Sequence, residues 1–156
     1  MYFPTTVDLK GEDSVPDTVH HVVLRVDPKS SNMQQWKQQK TKIKTDGVHA
    51  RDNFNTSNPN PETYSEAVKI LKGDLVIKAI DSLKIDQAII FCRTKIDCDN
   101  LENYLNFKGK LVSSNNPYTC VCLHADRSPQ ERISNLEKFK KKQVKFLICT
   151  DVAGKF

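Results

Sequence analysis

The chain has 156 residues, with 24 Lys and Arg against 19 Asp and Glu, and a formal net charge of +5 at pH 7. This length predicts one domain, or one domain with an appendage, and allows a sizeable core. No apolar run is long enough to span a bilayer, and the first residues lack the regions of a signal peptide. We therefore predict an intracellular protein with no membrane partner. The small positive excess permits a polyanionic partner without selecting one.

The five cysteines, none of which forms a C-x-x-C pair, fit a reducing compartment. Most of them fall inside apolar runs, where thiols act as small buried side chains. A metal cluster of Cys120, Cys122, Cys149 and His124 is a weaker alternative. Cys120 and Cys122 would lie side by side on one strand face and chelate poorly. We therefore predict no metal site.

The first part of the chain divides into two segments by composition. Residues 1–26 form a lead, and the valine-rich residues 19–26 predict a strand. Residues 27–62 are polar, with few apolar anchors, which is typical of a flexible insertion. Residues 63–156 carry regular apolar patterns. The expected organisation is a lead, a polar insertion and a folded α/β unit.

Three helices are predicted within residues 63–156. They begin at Thr63, Thr94 and Ser128, and Glu66 and Glu131 complete capping boxes for the first and third helices. Apolar residues at helical spacing predict the buried faces. These residues are Ala67, Ile70, Leu71, Leu75, Ala79 and Leu83 in the first helix, Cys98, Leu101 and Leu105 in the second, and Ile133, Leu136 and Phe139 in the third.

Apolar runs at 87–92, 118–123 and 144–150 predict strands, with a polar loop at 107–117. Because the strands alternate with helices, the fold class is α/β, with a parallel sheet flanked by helices. Parallel strands end at one edge of the sheet, so the polar residues that leave them converge there. These residues are Arg93, Thr94, His124, Asp126, Thr150 and Asp151, and helical spacing brings Arg132 to the same rim.

This rim has two interpretations. It binds a ligand, as the carboxyl edges of open parallel sheets do, or its polar residues are ordinary loop chemistry. In the second interpretation, Thr94 caps a helix and Arg132 pairs with Asp126 or Asp151. The sequence contains no G-x-x-x-x-G-K-[ST] or G-x-G-x-x-G motif and no pattern of a nucleophilic triad. If a nucleotide is used, its phosphates are held by another domain.

Three segments resemble motifs of the DEAD-box RNA helicases. Residues 88–94, AIIFCRT, resemble motif IV, and residues 124–132, HADRSPQER, resemble the H-G-D-x-x-Q-x-x-R motif. Residues 148–153, ICTDVA, resemble the start of motif V. The resemblance implies a partial RecA-like domain, the second of the two in such helicases. That domain grips one RNA strand by its backbone and closes over ATP with the first domain.

The resemblance also implies roles for the rim. Expected partners are a single RNA strand, bound through its backbone, and the first RecA-like domain of the parent protein. ATP and Mg²⁺ serve the intact parent, in the nucleus or cytoplasm, and neither is expected to bind this fragment tightly. No catalytic residue is implied, and Asp151 is placed at the interdomain or nucleotide rim. The implied RNA-binding residues are Arg93, Thr94, His124, Asp126, Arg132 and Thr150.

The chain departs from the family pattern in three places. Ala125 replaces a glycine and Pro129 a glutamine, which weakens the expected RNA contact. After Ala153 the family continues A-R-G-x-D and then H-R-I-G-R-x-G-R, whereas this sequence reads Gly154-Lys155-Phe156. We therefore expect a fragment truncated within motif V, inactive alone, whose last residues are read from an intron. The alternatives are a non-catalytic RNA-binding or scaffold module and an unrelated flavodoxin-like protein.

Overall fold

The computed structural model describes residues 18–30, 42–48 and 60–151. Helices and strands alternate within the last of these ranges, as the apolar patterns predict. No helix among the described residues is long and apolar enough to cross a membrane. The elements are α1 Pro61–Ser82, β1 Ala88–Cys92, α2 Lys95–Val112, β2 Cys120–Leu123, α3 Pro129–Lys140 and β3 Phe146–Thr150.

The three strands form one parallel sheet in the order β1-β3-β2, which confirms the predicted fold class. β3 lies in the centre, and Ile90 of β1 and Cys122 of β2 are both register partners of Ile148. All residues of β3 are buried, as expected for a strand with a neighbour on each side and helices over the sheet. The chain thus runs from β1 at one edge of the sheet to β2 at the other edge, and then returns to β3 between them.

This strand order places the helices on opposite faces. The connection through α2 crosses the sheet in one direction and the connection through α3 crosses it in the other, so right-handed crossovers put the two helices on different sides. α1 shares the face of α2, since Ile80 packs in the same core as Leu105. The sheet contributes Cys120, Cys122, Phe146 and Ile148 to that core.

The outer face of the sheet is less completely covered. α3 contacts β2 and β3, and Asn135 Nδ2 donates to the Cys122 carbonyl at 2.9 Å. The predicted burial of Ile133 is wrong, because the helix meets the sheet along a line through Asn135, and Ile133 is 67% exposed. Ile89 and Phe91 of β1, which point to this face, are also exposed.

The strand predicted at 19–26 is absent from the described residues. Val22 and Val23 are exposed, while Val26 packs beside Ala67, Ile70 and Leu71. A strand needs a neighbour to pair its backbone groups, and the described sheet offers no partner along this segment. Valine content alone therefore predicted the wrong structure.

Two helix boundaries also differ from the predictions. α1 begins at Pro61 with Asn60 as its N-cap, whose Oδ1 accepts from the Thr63 backbone N–H at 2.8 Å. Thr63 is therefore buried in the first turn instead of capping the helix. α2 continues to Val112, through part of the predicted loop at 107–117, and Gly109 leaves room for the Asn116 side chain to pack closely against the helix.

Residues 42–48 of the predicted insertion pack against α1 and α2. Asn100 Nδ2 of α2 donates to the Thr45 carbonyl at 3.1 Å, and the Ile43 side chain packs against Gly73 of α1. These residues therefore differ from the expected flexible linker. The rest of the insertion at 31–41 and 49–59, and the chain end at 152–156, lie outside the described residues.

Candidate nucleic-acid interface

The predicted site residues follow parallel strands, and the structure places them at one edge of the sheet. Arg93 and Thr94 follow β1, His124 follows β2, and Thr150 ends β3. Cys92 and Thr150 are register partners, so the ends of β1 and β3 lie side by side. The structure thus forms the predicted rim, while the individual side chains differ in what they can reach.

Arg93 is the most accessible cation among the predicted residues, with 65% of its side chain exposed. Its Nη2 donates to Asp46 Oδ2 at 2.6 Å, and the same nitrogen lies 3.6 Å from Asp97 Oδ2. Thr94 caps α2, since its Oγ1 accepts from the Asp97 backbone N–H at 3.1 Å. A guanidinium beside a helix N-terminus is a favourable setting for an anion.

The carboxylate that holds Arg93 is Asp46. Its Oδ1 accepts from Lys69 Nζ at 2.6 Å and its side chain is 8% exposed. The hydrogen bond from Lys69 lowers the pKa of Asp46 below its ordinary value, and the hydrogen bond from Arg93 acts in the same direction. Asp46 is therefore a carboxylate under neutral conditions. The sequence pattern did not reveal this contact, because Asp46 lies in the polar insertion.

Lys95 is a second cation at this rim that sequence reasoning missed. Its side chain is 46% exposed, and Nζ lies 2.5 Å from Asp126 Oδ1. This hydrogen bond lowers the pKa of Asp126. The contact joins the first residue of α2 to the loop after β2. Asp126 is thus exposed at the rim as predicted, with a lysine as its partner.

His124 lies beneath the rim, with 1% of its surface exposed. Its Nε2 is 3.1 Å from Asp99 Oδ1, and Arg127 Nη2 donates to the same oxygen at 2.9 Å. Arg127 Nη2 also donates to Glu102 at 2.8 Å. This burial keeps the His124 imidazole away from the surface, and the RNA-binding role of His124 stays a prediction. His124 and Arg127 fasten the end of β2 to α2.

The same cluster offers potential metal ligands. One ligand atom each from Asp99, Cys122 and His124 lies within 4.8 Å of the others, and Nδ1 of His124 is buried without a hydrogen-bond partner among the described residues. However, the Arg127 guanidinium already pairs with Asp99. Burial raises the pKa of the Cys122 thiol, and nearby Glu102 raises it further. The Arg127 guanidinium, which pairs with Asp99, makes this cluster a partly exposed ion-pair network around the buried His124.

The other predicted residues lie on β3 and α3. Thr150 is 7% exposed, while Asp151 directly follows the strand and is exposed. Arg132 lies in the first turns of α3, partly buried, and its backbone N–H donates to the Ser128 carbonyl at 3.0 Å. The rim accordingly combines exposed charges at its edges with a nearly buried hydroxyl at its centre.

A cavity of about 440 Å³ opens beside Arg93, between residues 42–45, α1, β1 and α2. Its lining is mainly apolar, with Lys69, Lys72 and Arg93 among the polar side chains. Sequence analysis did not predict it, since its walls come from segments far apart in the chain.

Comparison with known proteins identifies the family. The sequence profile of the helicase conserved C-terminal domain matches residues 71–155, more than half of the chain. The matched region contains all three strands, α2, α3 and every predicted site residue. The chain therefore belongs to the helicase conserved C-terminal domain family.

Several curated relatives are similar to this chain. The ATP-dependent RNA helicase Ddx1 of Drosophila virilis is 58% identical over 155 residues, which cover 99% of this chain and 37% of the relative. DDX1 of Xenopus laevis is 56% identical over 157 residues, covering 99% and 21%. The DEAD-box ATP-dependent RNA helicase CshA of Geobacillus kaustophilus is 34% identical over 92 residues, covering 59% and 18%. The resemblance to DEAD-box helicases is confirmed, and the chain spans about a fifth to just over a third of these relatives.

Proposed function

We propose that this chain is the RNA-gripping second RecA-like domain of an ATP-dependent RNA helicase. The observation that carries the proposal is a pair of exposed cations, Arg93 and Lys95, on either side of the N-cap Thr94. They lie at the carboxyl edge of a parallel sheet, where such folds bind ligands. Contacts from guanidinium and ammonium groups to phosphate oxygens carry no sequence information, so the proposed binding is sequence-independent.

Each predicted residue has a part in this proposal. Arg93 and Lys95 bind backbone phosphates of the RNA. Thr94 begins α2, so the N-terminus of this helix faces the same RNA strand. His124 supports the loop from below. Arg132, Asp126 and Thr150 complete the RNA-facing rim, with Asp126 also orienting Lys95.

The parent protein would use ATP and Mg²⁺ between two RecA-like domains. No phosphate-cradling motif occurs in this sequence, so the first domain would hold the phosphates and the metal ion. Asp151, which is exposed after the central strand, would face that cleft. ATP-dependent closure of the two domains would bend the bound strand, and hydrolysis would release it. We place the protein with its RNA in the nucleus or cytoplasm.

The test is the affinity of the 156-residue chain for a fluorescein-labelled oligouridylate, measured by anisotropy. Arg93→Ala and Lys95→Ala should each weaken binding about threefold to tenfold and reduce the slope of log affinity against log salt by about 0.7. Arg132→Ala should also weaken binding. Lys145→Ala is the matched control, because Lys145 precedes β3 and lies at the opposite edge of the sheet.

Equal losses in Lys145→Ala would mean that binding follows net charge alone. Unchanged affinity in all three rim variants would remove this rim from RNA recognition. RNA binding that stays independent of ATP when the chain is joined to its first RecA-like domain would favour a non-catalytic RNA-binding module.

A further inference from the structure

The segment 42–48 is held on the folded unit by several separate contacts. Thr45 Oγ1 donates to Glu66 Oε1 at 2.5 Å, in addition to the bond from Asn100 to the Thr45 carbonyl. Ile43 is one of the partly buried hydrophobic residues that pack against the main core. The segment therefore has a defined position beside α1 and α2, although it lies in the polar insertion.

Two glycines, Gly73 in α1 and Gly47 in the segment itself, fix how residues 42–48 lie against the folded unit. A Cβ atom at Gly73 would lie 3.1 Å from the Ile43 side chain, so glycine allows a close approach in the middle of α1. Gly47 has a φ of +73°, which turns the chain immediately after Asp46. The Val48 backbone N–H donates to Asp46 Oδ1 at 3.3 Å across this turn. The turn at Gly47 and the close approach at Gly73 together place the Asp46 carboxylate beside Arg93 at the rim.

The two oxygens of Asp46 have different cationic partners. Lys69 donates to Oδ1 and Arg93 donates to Oδ2, each at 2.6 Å. The Arg93 side chain is largely exposed, whereas Lys69 is 19% exposed. If Arg93 moved away, the bond between Asp46 and Lys69 would remain. The Asp46 carboxylate therefore keeps Lys69 as a partner when Arg93 is released. The free-energy cost of releasing Arg93 is small for this reason.

We propose that Asp46 is an internal ligand of Arg93 that competes with an RNA phosphate, so that residues 42–48 set how tightly this rim holds RNA. The inference rests on the proposed function. Carboxylate and phosphate oxygens are alternative partners for the same guanidinium donors. Asp97 lies close to the same nitrogen, so two carboxylates already offset the charge of Arg93. A phosphate that takes the Nη2 donors of Arg93 displaces Asp46, and one that takes its other donors still meets the charge of these two carboxylates.

The experiment compares the oligouridylate affinity of the full chain with that of Asp46→Asn. Affinity should rise about threefold to tenfold, since an exposed guanidinium is freed from a carboxylate. Asp86→Asn is the matched control, because it removes the same charge from an 87% exposed aspartate that precedes β1 at the opposite edge. In an Arg93→Ala background, Asp46→Asn should change the affinity little.

A second variant covers the case in which Asp46→Asn unfolds the chain. Ile43→Ala loosens residues 42–48 from Gly73 without changing any charge, and it should also raise the affinity. If Arg93→Ala weakens RNA binding while Asp46→Asn and Ile43→Ala leave it unchanged or lower it, the inference fails and the proposed function stands. If Arg93→Ala has no effect, the proposed role of Arg93 itself fails.

Discussion

Gly109 is a helical position at which the usual effect of alanine should be reversed. A Cβ atom there would lie 1.6 Å from Asn116 Oδ1. That oxygen accepts from the Tyr118 backbone N–H at 2.8 Å, and Asn116 Nδ2 donates to Asn106 at 3.2 Å. The amide therefore bridges the end of α2 to the start of the next strand, and glycine provides the space that it occupies.

We predict that Gly109→Ala destabilises the chain by about 1–3 kcal/mol, although glycine to alanine ordinarily stabilises a helix interior. The free energy of unfolding in urea measures this. Asn116→Ala removes the obstructing amide, so adding Gly109→Ala to that variant should be neutral or stabilising. An equal loss in both backgrounds would show that Asn116 is not the obstacle.

At the scale of elements, the three helices are started by side-chain caps that differ in their surroundings. Ser128 forms a complete capping box with Glu131, as predicted. The hydrogen bond from the Ser128 backbone N–H lowers the pKa of Glu131. Thr94 caps α2 within the proposed RNA rim, where its hydroxyl accepts from the Asp97 backbone N–H. The proposed function therefore predicts that stability and RNA binding are coupled at this helix end.

Thr94→Ala should lower the free energy of unfolding by about 1 kcal/mol, because α2 loses an N-cap oxygen. Thr94→Ser keeps that oxygen and should retain most of the stability. Urea unfolding followed by circular dichroism compares the two variants. If serine and alanine destabilised the chain equally, the loss would come from the threonine methyl group instead of the cap.

At the scale of the whole molecule, buried thiols lie on the central strand and on the elements beside it. Cys98, Cys120, Cys122 and Cys149 are buried, and all five cysteines are free. Burial raises the pKa of Cys120 to about 12, and burial is also the main cause of the raised pKa of Cys122 and Cys149. The native chain therefore keeps protons that the unfolded chain releases above its thiol pKa of about 9.

Because the native state then binds more protons than the unfolded state, the free energy of unfolding should fall as the pH rises above about 9. Urea titrations between neutral and alkaline pH measure the slope. Tyr104 and Tyr118 add to it at higher pH, since burial also raises their pKa values. Cys120→Ala should have a shallower decline than the unaltered chain, and an unchanged slope would exclude this thiol as a source.

The sequence by itself determined the order of helices and strands from 61 onward, the cap at Ser128 and the edge at which Arg93 and Thr150 lie. These features depend on the spacing of neighbouring residues, which a linear pattern records. The resemblance in three short motifs led to the correct family for the same reason, since each motif is continuous in the chain.

Only the tertiary structure decided which side chains meet. Arg93 and Asp46 are 47 residues apart, and His124 is fastened to Asp99 across 25 residues. Packing, not local spacing, brings such pairs together, so periodicity could not show that His124 is buried or that Ile133 is exposed. The strand predicted at 19–26 failed for the same reason, because valine content favours an extended chain but a sheet neighbour is what makes it a strand.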